Sequence, residues 1–133
     1  LYAGLWLPTA AQPELVIWPD IAATPNRAEL VVLSACGSGP RDRDSRGVQL
    51  VLAEAFLAAG SRHVVAASNA LSDAAAPFWT GHFYDALVSG ADPGLALRDT
   101  QQRMRSSPHF RHPRFWAGLA HYIRRAPAST APP

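Results

Sequence analysis

Cys36 is the single cysteine of the chain and its best candidate for covalent chemistry. It follows the apolar run Leu30-Val31-Val32-Leu33 through Ser34 and Ala35, and it precedes Gly37, Ser38 and Gly39. Small residues after a buried strand let a substrate approach and let backbone N–H groups point at it. In open parallel sheets such clefts form at the carboxyl ends of the strands. The competing reading is a packed cysteine that serves as a small hydrophobe. A thiol with a pKa near ~8.5 is only slightly ionised at neutral pH, so a reactive one takes an imidazole partner. Of the five histidines, His63 opens an apolar run and so lies a strand length from Cys36. His82 falls in a helical apolar stripe, where packing is the simpler role. His109 and His112 flank loop prolines, and His121 stands near the end of the last apolar segment. None makes an obvious base.

Other chemistries fail on spacing. A tyrosine-phosphatase loop needs an arginine where this chain has Asp42, and Arg41 and Arg43 miss that register on either side. A Walker loop needs lysine, which is absent. A nucleophile elbow places glycine two positions before and after the nucleophile, where Ser34 and Ser38 stand. Asp42 and Asp44, among Arg41, Arg43 and Arg46, read as a solvated charged loop and not as a metal site. No cofactor is expected.

The elements that would position Cys36 are legible. Leu30 to Leu33 is β-branched and apolar on both faces, as in a parallel strand covered on each side. Gly39 to Arg46 is an exposed loop. Val48, Val51, Leu52, Ala55, Phe56 and Ala59 form one helical stripe that ends at Gly60. His63 to Ala67 predicts a second buried strand, parallel to the first because a helix connects them. Ser72 or Asp73 is expected to cap a second helix bearing Phe78, Trp79, His82 and Phe83, with Gly90 as its stop. Asp92-Pro93 starts a third helix that runs to about Met104. Arg114 to Ile123 reads as a last strand, and residues 126–133 as a disordered tail. Before all this, Leu1–Leu7 and Glu14–Trp18 predict a small hairpin, with a helical turn at Asp20–Ala23. The expected fold class is α/β, a three-layer α/β/α sandwich with a mainly parallel sheet and a small N-terminal hairpin.

Length and composition bound the function. At 133 residues the chain makes one domain, and 48% hydrophobic residues exclude a disordered one. The 12 cations are all arginine, nearly balanced by 10 acids and scattered, which argues against nucleic acid as partner. No apolar run reaches the ~18–20 residues of a membrane helix, and the start lacks the pattern of a signal peptide, so a cytoplasmic protein without a membrane partner is expected. One cysteine makes neither an internal disulfide nor a zinc cage.

Leu30-Val31-Val32-Leu33-Ser34-Ala35-Cys36-Gly37-Ser38-Gly39 resembles the LVVLSAC-x-TG signature of CHAT domains, the caspase- and separase-like cysteine peptidases of clan CD often joined to tetratricopeptide repeats. Phe56 to Ala66 is similar to that family's AFL-x-AG-A-R-x-VVA stretch. Phe83-Tyr84-Asp85-Ala86-Leu87, Ala96-Leu97-Arg98 with Gln101, and Pro113 to Ala117 resemble its later landmarks in order. The resemblance runs from about Leu5 to Ile123.

It implies a caspase-like fold, a bacterial setting and a Cys–His endopeptidase acting on a protein or peptide, with Cys36 as nucleophile. The family's histidine stands in a His-Gly motif that would precede Leu1. Residues 1–125 then form the C-terminal part of a CHAT domain without its leading strands, inactive as they stand and with an open sheet edge near Trp6, Trp18 and Trp116. Gly37 and Asn69 become substrate-binding candidates, as does Asp73, whose carboxylate would favour a basic side chain before the cut. The family's Ser-Leu-Trp reads Ala67-Ser68-Asn69 here, and its Gly-Glu-Gly reads Ser45-Arg46-Gly47. A catalytically inactive interaction module of the same fold stays open as the alternative. A tetratricopeptide-repeat or other sensor region in the same longer chain is the expected partner.

Overall fold

The computed structural model describes residues 3–34, 45–68 and 71–125. Strands β1 (Gly4–Leu7) and β2 (Glu14–Ile17) pair antiparallel with Leu5 opposite Val16, which is the expected hairpin. Strand β2 stops one residue early. Trp18 opens helix α1 (Trp18–Ala23) because Pro19, with its fixed φ and missing N–H, suits a first helical turn, and because the Trp18 N–H donates to Ala3 O at 2.9 Å.

Strand β3 (Leu30–Leu33), helix α2 (Ser45–Ala59) and strand β4 (His63–Ala67) form a β–α–β unit. Strands β3 and β4 are parallel, from Leu30 opposite His63 to Leu33 opposite Ala66. The helical stripe read from the sequence is real: Leu52 and Ala55 are buried, and Val48, Val51 and Phe56 pack beside them with Leu33, Ala3 and Ile21. Gly60 ends α2 at φ +124°, where any Cβ would run into the Asn26 carbonyl oxygen. Asn26 latches this corner. Its N–H donates to Ala59 O at 2.7 Å and its Nδ2 to the buried Ser61 Oγ at 3.0 Å.

Helix α3 (Ala76–Val88) begins later than expected, and neither Ser72 nor Asp73 caps it with a side chain. Its first amides are met by backbone instead, since Ala75 and Ala76 N–H both donate to Ser72 O, at 2.8 and 2.9 Å. Gly90 closes it at φ +89°. Helix α4 (Pro93–Ser106) starts as expected, with Asp92 Oδ1 accepting from Gly94 N at 2.8 Å and Leu95 N at 3.4 Å.

Strand β5 (Leu119–Ile123) is shorter than expected. Pro113–Phe115 forms a 3₁₀ turn, held by the Arg114 N–H donating to His112 Nδ1 at 3.2 Å. Strand β5 pairs antiparallel with β4, Val65 opposite His121. The sheet order is β3-β4-β5, one parallel and one antiparallel pairing, so the expectation of a mainly parallel sheet holds for β3–β4 alone among the described residues. Val65 and Ala67 face Trp79, Phe83, Ala96, Leu97 and Met104 of α3 and α4 in the main core, while Leu33 faces α2. The described residues form a mixed α/β fold of four α-helices with a two-stranded and a three-stranded sheet. The expected tail, 126–133, lies outside them.

Candidate functional site

The parallel pair gives the sheet a direction. Strand β3 delivers the chain to its carboxyl end at Leu33 and exposed Ser34, and β4 ends beside it at Ala67. Cys36, Gly37 and Asn69 lie outside the described residues, and the elements that lead to them are described on both sides. Past Leu33, the described residues at that end, Ser34, Ala67 and Ser68, are small.

Two turns flank that end. The segment after β4 returns through Leu71, packed on the main core, and Ala75, fully buried in it. Asp73 is held exposed between these two anchors. Its carboxylate meets no donor among the described residues, so its helix-cap role is absent. On the other side the Ser68 N–H donates to Gly118 O at 2.7 Å. The turn carrying Gly118 is fixed by Gln101 of α4, whose Nε2 donates to both Trp116 O and Leu119 O at 3.0 Å. Gln101 thus sets the position of the β5 entry next to the end of β4. It was visible in the sequence only as part of a motif, because the carbonyls it serves are 15 and 18 residues away.

The histidines divide cleanly. His63 sits at the amino end of β4, opposite Leu30, the far end of the sheet from Ser34, as its position in the sequence implied. His121 joins it there: His63 Nδ1 and His121 Nε2 are 3.0 Å apart, with rings stacked at 5.2 Å and 14°. Burial pushes the His121 pKa below the usual histidine value, the His63 charge adds to this, and the Asp92 carboxylate opposes it. Asp92 is itself lowered, chiefly by the Gly94 amide it caps. This cluster was missed in the sequence. It depends on the last strand running antiparallel, which brings its end beside the start of β4. His82 is half-buried, edge-on to Phe78 at 4.4 Å, a packing role as expected. His109 and His112 are exposed in the loop before β5. Trp6 and Trp18 are exposed by 68% and 42%, Trp116 is half-buried, and Trp79 is wholly buried.

Among the described residues no group of three or more His, Cys, Asp or Glu is placed to hold a metal ion, and no helix is long and apolar enough to cross a membrane.

Residues 3–124 match the family model of the CHAT domain. The chain belongs to the CHAT domain family. It is also similar to tetratricopeptide repeat protein 28 of Mus musculus, 33% identical over 91 residues. That stretch is 68% of this chain and 4% of the mouse protein, so the chain spans a small part of that relative's length. For a CHAT domain, the strand β3 that leads to Cys36 and the parallel neighbour β4 are the elements that carry the signature residues of the sequence.

Proposed function

We propose that this CHAT domain supplies the nucleophile of a caspase-like cysteine endopeptidase, and that its α/β elements belong to a three-layer sandwich with α2 on one face of the sheet and α3 and α4 on the other. The observation that carries the reading is the direction of β3. It runs parallel to β4 and ends at Leu33 and Ser34, two residues before Cys36 in the sequence, and the described residues Ser34, Ala67 and Ser68 at that end are small. In this reading the Cys36 thiolate attacks the scissile carbonyl, forming a tetrahedral intermediate that loses the amine to give a thioester, which water then hydrolyses. Backbone N–H groups after Cys36, that of Gly37 first, face the developing oxyanion. Asn69 and Asp73 line the pocket for the residue before the cut, and the unpaired Asp73 carboxylate favours a basic side chain there.

His63 and His121 occupy the opposite end of the sheet, so neither is the base. The imidazole comes from a His-Gly segment elsewhere in the protein. The mouse relative's name supports a setting beside tetratricopeptide repeats, and we assign to such a region the sensing of a signal that releases the peptidase.

The test is the Cys36→Ala variant of the natural-length protein, read by the new protein N-termini that appear in cells. A set of termini present with the parent and absent with Cys36→Ala is expected. An identical set in both overturns the peptidase and leaves the interaction module, the reading favoured by the distance of both sheet histidines from the β3 exit.

A further inference from the structure

The amino end of the sheet holds a concavity that the peptidase reading does not use. It has a volume of about 780 Å³ and is lined by Glu29, Arg62, His63, Asp92, Arg124 and Arg125, with Pro93 and Ile123 between them. That volume suits a small organic molecule better than a bare ion. Its charges are unequally satisfied. Asp92 is spent on the α4 amides of Gly94 and Leu95. Glu29 Oε1 accepts from Arg62 Nη1 at 3.3 Å. The guanidinium groups of Arg124 and Arg125 meet no acceptor among the described residues. The site therefore has two uncommitted forks of N–H donors, while each of its two carboxylates already accepts through one oxygen, a donor set that fits an oxyanion bound in bidentate fashion.

His63 lines the cavity, and His121 stands behind His63, in contact with its ring. Two nitrogens 3.0 Å apart share one hydrogen, so the pair accepts one further proton on an outer nitrogen. A second would place two N–H groups head to head. The charged groups that face the pair are Asp92 from the α4 start, Arg62 beside His63, Arg124 and Arg125 after β5, and Glu29 before β3. An anion in the cavity acts on His121 in the same direction as Asp92, favouring the protonated ring.

We propose that this cavity binds a small organic anion by a phosphoryl or carboxylate group, gripped by Arg124 and Arg125, and that the His63–His121 pair takes up a proton when the anion binds. The site is at the opposite end of the strands from Ser34 and does not depend on the peptidase reading.

Sulfate and oxalate are suitable probes, because neither changes charge between about pH 6 and about pH 8, where imidazole does. Each is titrated calorimetrically into the natural-length protein at both pH values. Saturable binding is expected for at least one, about tenfold weaker in Arg124→Ala/Arg125→Ala. It should be several-fold tighter at the lower pH, with that gain absent in His121→Gln. Preference for sulfate identifies a phosphoryl group, and preference for oxalate a carboxylate. Arg105→Ala/Arg111→Ala removes the same charge elsewhere and should bind as the parent does. Equal loss in this control, equal affinity at the two pH values, or no saturation by either probe overturns the proposal.

Discussion

At the carboxyl end of β3 and β4 the described residues Ser34, Ala67 and Ser68 are small and uncharged, whereas the amino end carries ionisable groups: Glu29, Arg62, His63, His121 from β5 and Arg124 just after it. The two ends are about one short strand apart and share one core, in which Trp79 stacks on Phe83 at 5.2 Å. The difference matches the tasks proposed for the two ends. A nucleophile needs free space and backbone donors around it, which small residues leave. A group that binds by charge needs side chains that are themselves the contact. The cavity lies at the amino end, away from Ser34 and Ser68.

The largest test of this contrast is removal of the thiol. Cys36→Ala should lower peptide hydrolysis by about a thousandfold or more, because members of a catalytic unit act together. The same variant should bind sulfate or oxalate as the parent does, and a loss of anion binding would join the two ends functionally.

Gln101→Leu strikes the carboxyl end alone. It removes the side-chain donor from the Leu119 carbonyl and from the Trp116 carbonyl, which keeps the Leu119 N–H at 3.2 Å, and this should cost about 1–3 kcal/mol in urea unfolding. Hydrolysis should fall with it as the β5 entry shifts beside β4, while the pH dependence of anion binding stays. An unchanged unfolding midpoint would remove Gln101 as the strap of that turn.

The amino end should show itself as an acid limb in stability. The folded-state pKa of His121 lies below its unfolded value, so the unfolded chain binds more protons in that window. Stability is then full above the ordinary histidine range and declines as pH falls through about 6.5 toward the folded value. Urea midpoints measured in chloride should follow this course and flatten in His121→Gln. Sulfate, which favours the protonated ring, should make the limb shallower. A flat profile in the parent would remove the pair as a proton acceptor.

The smallest effect is expected at Asp73. Because it caps nothing, Asp73→Asn should change stability by no more than about 0.5 kcal/mol. If it lines the pocket, the preference for a basic residue before the cut weakens in a peptide-library assay, with other substrates unaffected. A stability loss well beyond that figure would make it a structural residue after all.

Much of this was readable from local pattern. The stripe from Val48 to Ala59, the stops at Gly60 and Gly90, and the Asp92-Pro93 start are signals carried within one or two helical turns. Two differences arose at short range, where neighbouring groups compete for the same backbone amides. Ser72 and Asp73 look like caps, yet the Ser72 carbonyl and not a side chain meets the first amides of the α3 turn. Arg114 and Phe115 look like strand residues, yet Pro113 and the His112 ring wind them into a turn.

The sequence by itself determined the order of the elements, the polarity of β3 toward Cys36 and the family, because periodicity, caps and signature residues are written in neighbouring positions. Only the tertiary structure decided that β5 returns antiparallel to β4, that Gln101 straps its entry, and that His63 and His121 share a hydrogen. Those facts depend on strand register, and register is set by packing between residues far apart in the chain.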